Sequence, residues 1–188
     1  MEPTHYKNIY GYFDFQDIYT GAFNRYPAGN YLEIGTWLGK STCYMGELIK
    51  NSTSRPTLYC VDTFLGEPNA TDQQDIVKEE GGSIYWRFLC NMEEAEVLKY
   101  MVPIQMESAS AATIFKDEYF DYIFLDAAHL YEDVRLDLNM WFPKLKKGGM
   151  FAGHDYYQGT EVKRAVDEFF DEKKLTIRIH GTTFYIET

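Results

Sequence analysis

Short apolar runs and apolar residues at helical spacing alternate along the chain. Tyr31-Leu-Glu-Ile34, closed by Gly35, predicts a buried strand, and Leu38, Met45, Leu48 and Ile49 then fall on one face of a helix. Thr57-Leu-Tyr-Cys-Val-Asp62 predicts a second strand. Residues 64–82 read as a turn-rich acidic stretch, after which Ile84, Phe88, Met92, Ala95 and Leu98 supply the next apolar helical face. Val102-Pro-Ile-Gln-Met106 predicts a short third strand, 109–115 a small helical segment, and Tyr122-Ile-Phe-Leu-Asp126 the clearest strand of all. The stripe Tyr131, Val134, Leu138, Phe142, Leu145 predicts the helix that follows it. Gly149-Met-Phe-Ala-Gly153 is a fifth strand, and Val162, Ala165, Val166, Phe169 and Phe170 mark a further amphipathic helix.

Strands alternating with helices build βαβ units, whose parallel sheet is covered on both faces: a Rossmann-like, doubly wound α/β domain. The last segment breaks the rhythm. Leu175-Thr-Ile-Arg-Ile179 and Thr183-Phe-Tyr-Ile-Glu187 are joined only by His180-Gly181-Thr182, which permits a hairpin and forbids a parallel crossover. The expected sheet is therefore mostly parallel and seven-stranded, with one antiparallel strand from this C-terminal hairpin. No repeat, low-complexity tract or linker divides the chain, so 1–188 reads as a single domain in which 1–29 form an aromatic-rich helical cap.

Composition narrows the function. The formal charge is −11, which disfavours nucleic acid and anionic membrane as partners, because both attract basic surfaces. No apolar run is long enough to cross a membrane, and the first residues lack a secretory pattern. Three scattered cysteines, Cys43, Cys60 and Cys90, suit reduced thiols and a cytoplasmic setting. Aromatic residues reach 17%, with a concentration in residues 6–26 (Tyr6, Tyr10, Tyr12, Phe13, Phe15, Tyr19, Phe23, Tyr26). Most of these rings are expected to pack a helix on the sheet, and Tyr6 or Tyr10 to reach a ligand.

The turn after the first strand, Glu33-Ile-Gly35-Thr-Trp-Leu-Gly39-Lys40-Ser41, carries the candidate chemistry. A phosphate-binding P-loop needs four residues between its glycines, and only three separate Gly35 from Gly39. A dinucleotide fingerprint needs glycine where Trp37 stands, and an indole leaves no room for pyrophosphate against the backbone. An acid before the first glycine and another, Asp62, closing the second strand suit an adenosine ligand without phosphate, because a carboxylate there accepts both ribose hydroxyls. S-adenosylmethionine is such a ligand, and its sulfonium favours acidic surroundings such as Glu33 and Asp126. The plainer alternative is a tight βα turn with a solvated acid at the next strand end.

A longer and more specific motif follows. Phe124-Leu-Asp126-Ala-Ala-His129-Leu-Tyr131-Glu-Asp-Val134, continuing through Asp137, Trp141-Phe-Pro143 and Gly148-Gly149 to Gly153-His154-Asp155-Tyr156, resembles the signature of class I S-adenosylmethionine-dependent methyltransferases of methyltransferase domain family 24. That group includes macrocin-type sugar O-methyltransferases and, more distantly, cephalosporin-hydroxylase-like proteins. The resemblance runs from about Tyr31 to Asp155 and departs at Ala127, where the family usually has glycine; alanine fits only if that position needs no positive φ. It implies that Glu33, Gly35 and Gly39, with Thr36 and Ser41 beside them, form the first cofactor motif. Asp62, followed by Thr63, takes the place of the ribose-binding acid. Glu107 and Ser108 match the adenine loop, Asp126 the acid facing methyl transfer, and His154-Asp155 the pair at the end of the fifth strand.

Asp126 and Asp155 end adjacent predicted strands. Two carboxylates so placed either repel, raising one pKa, or share a cation; oxygen ligands suit Mg²⁺ or Mn²⁺, and His154 tilts the set of Asp126, His154 and Asp155 toward Mn²⁺. Two solvated strand-end acids are the simpler reading. His129, three residues beyond Asp126, is the candidate general base, its alternative being a helix-entry residue bonded to backbone. The sequence thus predicts methyl transfer to a small hydroxylated acceptor of sugar or phenol type. A metal-dependent hydroxylase-like enzyme and a non-catalytic cofactor-binding accessory protein are the alternatives. The acidic 64–82 stretch, as a lid, would favour a neutral or cationic acceptor. With no separate acceptor domain, specificity falls to the N-terminal segment, that stretch, and any contact within a homo-oligomer.

Overall fold

A computed structural model describes residues 2–188. The apolar runs become one sheet of seven strands: β1 (Asn30–Ile34), β2 (Thr57–Asp62), β3 (Met101–Gln105), β4 (Phe120–Leu125), β5 (Leu145–Gly153), β6 (Arg178–His180) and β7 (Thr183–Glu187). Their order across the sheet is β3-β2-β1-β4-β5-β7-β6. The first five strands pair in parallel, while β7 runs antiparallel to both β5 and β6. The single reversed strand is thus β7, as the three-residue connection demands.

Side chains alternate across the sheet, so β1 serves two cores. Tyr31 joins a cluster with Phe15, Tyr19, Met45, Phe88 and Phe124 on one face. Leu32 and Ile34 join Leu138, Trp141, Phe151, Phe169 and Phe170 on the other. The first face is covered by α1 (Gln16–Arg25), α2 (Lys40–Lys50) and α4 (Tyr85–Glu94). The second is covered by α5 (Ser108–Ala112), α6 (Tyr131–Trp141) and α7 (Glu161–Glu172). Each aromatic ring withdrawn fully from water in these layers contributes roughly 1.5–3 kcal/mol before the entropy of ordering it is subtracted.

Three boundaries differ from the pattern reading. Within the acidic stretch lies a helix, α3 (Thr71–Glu79), which buries little besides Val77 and so lacks the apolar stripe that announces a helix. Leu145 opens β5 instead of closing α6, because Pro143 turns the chain after Trp141 through a short 3-10 turn. The first hairpin arm shortens to three exposed residues, Arg178–His180, and takes His180 from the connection into the ladder opposite Thr183.

Candidate functional site

Because β1 is flanked by β2 on one side and β4 on the other, the winding reverses between β1 and β4, and a crevice opens beyond their carboxyl ends. Gly35 sits at its floor with φ +84°. A Cβ there would lie 1.9 Å from the carbonyl oxygen of Asp126, so the glycine is required by the neighbouring strand rather than by open space. Gly39, with φ +89°, begins α2, and a Cβ on it would meet Phe88 and Met92 of α4 at 2.9 and 2.5 Å. Ala127 is not among the residues of positive φ, which removes the difficulty that its departure from the family pattern raised.

Asp62 organises the first turn. Its Oδ2 accepts the backbone N–H groups of Thr36 and Trp37 at 2.7 and 2.8 Å, and its Oδ1 accepts that of Phe64 at 2.6 Å. Burial raises the Asp62 pKa, and these three donors offset that rise only in part. Glu33 is buried on the floor of the first motif, where its carboxyl accepts the hydroxyls of Ser41 and Thr42. Burial pushes its pKa to about 7 against those two bonds. The Thr36 hydroxyl is buried nearby without a hydrogen-bond partner. Thr63 Oγ1 accepts the N–H of Leu65 at 3.3 Å. Glu107 is exposed, whereas the Ser108 hydroxyl is tied into the second core: it donates to Asp137 at 2.5 Å and accepts from the Trp141 indole at 2.8 Å. Ser108 thus has only its backbone to offer a ligand. Leu65, Met106 and Leu130, which follow β2, β3 and β4, are large apolar side chains left exposed around the crevice. With two acids below them, these faces fit an adenosine ring system with a cationic centre.

The ends of β4 and β5 carry a denser polar cluster. His129 is clamped between two carboxylates: Nδ1 lies 2.8 Å from Glu67 Oε2 and Nε2 lies 2.7 Å from Asp155 Oδ2. The bond to Asp155, reinforced by the charges of both acids, lifts the His129 pKa to about 9. His154 Nδ1 faces Asp126 Oδ1 at 3.6 Å and Asp155 Oδ2 at 3.5 Å, while its Nε2 meets Asp14 at 3.1 Å and the Thr182 hydroxyl at 2.9 Å. Burial disfavours the charged ring, but Asp126 and Asp155 outweigh it and raise His154 to about 10. Burial likewise works against the Asp155 carboxylate, yet the two imidazoles hold it well below the usual carboxylate range. Asp126 moves the other way, raised by burial that His154 offsets only in part. Asp155 adopts φ +57°, a strained conformation for a non-glycine residue and one found preferentially at functional sites.

One ligand atom each from Asp126, His154 and Asp155 lie within 4.8 Å of one another. Two carboxylate oxygens and an imidazole nitrogen form a donor set that fits Mg²⁺ or Mn²⁺. A cation held there would need His154 Nδ1 as an unprotonated ligand, so cation and proton would compete for that nitrogen.

Asp14, Glu67 and Thr182 join this cluster without any motif to announce them; each arrives from a separate segment through the fold alone. The N-terminal aromatic segment is chiefly packing. Tyr6 lies edge-on to Phe13 and Tyr44 at 5.6 and 5.1 Å, and Phe15 stacks on Phe124 at 4.5 Å and tilts against His154 at 4.9 Å. Of the two tyrosines expected at a ligand, Tyr6 is therefore a core ring, while Tyr10 is exposed with its hydroxyl 3.5 Å from Asp72 on α3. The acidic stretch is less negative toward the site than its composition suggests: Glu67 is paired with His129 and Glu80 with Arg87.

Residues 32–156 match the family model described as "Methyltransferase domain". The chain is 24% identical over 132 residues to the uncharacterised protein y4gI of Sinorhizobium fredii (strain NBRC 101917 / NGR234), an alignment covering 70% of this chain and 13% of that protein. Among solved structures, the O-methyltransferase NovP superposes with a TM-score of 0.64 at 17% identity, over 92% of this chain and 76% of NovP. CalS11, a TDP-rhamnose 3'-O-methyltransferase, gives 0.59 at 12% identity, over 92% and 77%. MycE, a methyltransferase of the mycinamycin pathway solved with Mg and SAH, gives 0.56 at 16%, over 95% of this chain and 51% of MycE. These likenesses establish the fold, and none of the described helices is long and apolar enough to cross a membrane. With two thirds of its length matched to the family model, the chain belongs to the methyltransferase domain family of class I S-adenosylmethionine-dependent enzymes.

Proposed function

We propose that this chain moves the methyl group of S-adenosylmethionine to a hydroxyl of a small molecule, with His129 as the general base. The observation that carries the reading is the convergence of His129, Asp126 and Asp155 at the ends of β4 and β5, beside the crevice that fits the adenosine ligand. Glu33, Gly35, Thr36, Gly39, Ser41, Asp62, Thr63, Glu107, the Ser108 backbone and Asp126 surround that ligand. Some of these act directly, and Gly35, Gly39 and Ser41 act by shaping the turn. When bound, the cofactor supplies an electrophilic methyl carbon on a positively charged sulfur. Asp126 faces that charge. His129 takes the acceptor's hydroxyl proton as the oxygen forms its bond to carbon, and the carbon–sulfur electron pair leaves on a neutral thioether.

Asp126, His154 and Asp155 would hold a divalent cation, and such an ion would lower the pKa of an acceptor hydroxyl. Calorimetric titration of Mg²⁺ or Mn²⁺ into protein saturated with S-adenosylhomocysteine tests this. Heat that disappears in Asp126→Asn supports the site, and absence of heat from the unsubstituted protein rejects it.

The base itself is tested by pH. In the metal-free protein His129 holds its proton to about pH 9, so kcat/KM rises roughly tenfold per pH unit above neutrality and levels off near that value. A profile that is flat between pH 7 and about 9 assigns the proton transfer elsewhere.

A further inference from the structure

We propose that the cleft between residues 7–12 and Lys40 is an outer subsite for the acceptor, and that Lys7 and Lys40 there take an anionic group, a carboxylate or phosphate, on that molecule. The inference deepens the methyl-transfer reading and rests on it for the word acceptor. The N-terminal segment crosses over the first cofactor turn: a Cβ on Gly11 would lie 3.5 Å from Trp37 Cδ1 and 3.9 Å from Lys40 Cβ. On the opposite side, a Cβ on Gly66 would lie 3.1 Å from the Trp37 ring. The indole is thus wedged between the N-terminal segment and the loop leading to α3, and it fixes the cleft beside the turn. Residues 7–12 and Lys40 line this concavity of about 400 Å³, a size within the range of small-molecule sites.

Charge and exposure then define the ligand. In a chain of net charge −11, most lysines and arginines are paired with carboxylates, as are Lys50, Arg87, Lys144, Lys146 and Lys163. Lys7 and Lys40 have no ion-pair partner among the described residues, and both line the same cleft. Tyr12 is 90% exposed and Tyr10 54%, an unusual pair of open aromatic faces beside the two ammonium groups, with Asp72 at the far rim held by the Tyr10 hydroxyl. Aromatic faces with two cations suit a flat or sugar-like body bearing negative charge. Distance links the cleft to the chemistry. Only two residues separate Gly11 from Asp14, whose carboxylate touches His154, so their α-carbons are at most about 11 Å apart. One small molecule can span both places.

The test uses 3,4-dihydroxybenzoate, catechol and dopamine, which share a dihydroxyphenyl ring and are anionic, neutral and cationic. Each is titrated into the full chain saturated with S-adenosylhomocysteine. The benzoate is expected to bind about tenfold tighter than catechol, as a charge-assisted contact of ordinary strength requires, and dopamine weakest. In the Lys7→Ala/Lys40→Ala double variant the benzoate falls to the affinity of catechol, while catechol binding and Tm stay unchanged. Equal affinities, a preference that survives the double substitution, or no binding by any of the three overturns the subsite. Failure of S-adenosylhomocysteine itself to bind, with the lysine-dependent preference intact, counts against methyl transfer and leaves the anionic subsite standing.

Discussion

Replacing His129 by alanine lowers methyl-transfer turnover by about 10²–10⁴-fold and leaves the affinity for S-adenosylhomocysteine unchanged. The size of the loss follows from what the imidazole does. Its ordinary pKa lies near neutrality, and its two nitrogens are both already oriented, one toward Glu67 and the other toward Asp155. Removing it deprives the acceptor hydroxyl of its proposed proton acceptor, and the neighbouring imidazole, His154, is already engaged by Asp126, Asp155, Asp14 and Thr182. Cofactor affinity is spared because His129 lies beyond Asp126 rather than beneath the adenosine crevice. The decisive comparison is single-turnover rate against calorimetric affinity. A variant that loses both in parallel makes His129 a structural clamp between two carboxylates, and unchanged turnover removes it from the chemistry.

Gly35→Ala is expected to destabilise the fold by about 3–5 kcal/mol, combining the cost of a left-handed residue with overpacking. The added methyl would sit 1.9 Å from the Asp126 carbonyl oxygen and 2.6 Å from its carbon, both backbone atoms that no rotamer change can move aside. Either β4 separates from the first turn or the turn unwinds, and Asp126 is displaced in both cases. Gly81→Ala is the control. Its φ of +81° is as strained, but nothing lies within 4 Å of the added atom, so the loss is limited to about 1–2 kcal/mol. Denaturant midpoints for the two variants separate close approach from backbone conformation. Equal losses would mean that Gly35 is needed for φ alone.

The contrast between these two positions shows what could be read from the sequence. The strand-helix alternation, the reversed β7 and the acids at strand ends are all local: each follows from residues a few positions apart, and each is found where expected. Asp126, His154 and Asp155 come together because Phe124-Leu-Asp126 and Ala152-Gly-His154-Asp155 end neighbouring strands, which the alternation already implied. Helix α3 escaped because an amphipathic face cannot be seen where only Val77 is buried. Asp14, Glu67 and Thr182 escaped for another reason. Asp14 lies 140 residues from His154 and Glu67 lies 62 from His129, distances across which no periodicity or spacing rule operates. The first glycines were legible as a turn, but their reason was not: Gly35 makes way for β4 and Gly39 for α4.

The acidic composition resolves in the same manner. Glu33 and Asp62 are built into the first turn, Asp126 and Asp155 into the rim, and Glu67 is neutralised by His129. What remains open toward the N-terminal cleft is a pair of lysines. The charge of residues 64–82 favours a neutral or cationic acceptor and the proposed N-terminal subsite an anionic one, and the three-ligand titration decides between them.

Calorimetric titration of S-adenosylmethionine and S-adenosylhomocysteine into the purified chain tests the central claim most directly. The crevice between β1 and β4 predicts one site per chain for both compounds. The sulfonium form is expected to bind at least as tightly, because the proposed site sets its charge beside the Asp126 carboxyl at the end of β4. Saturable binding of both, lost in Asp126→Arg, is the expected result. No heat from either compound at millimolar concentration would contradict the account.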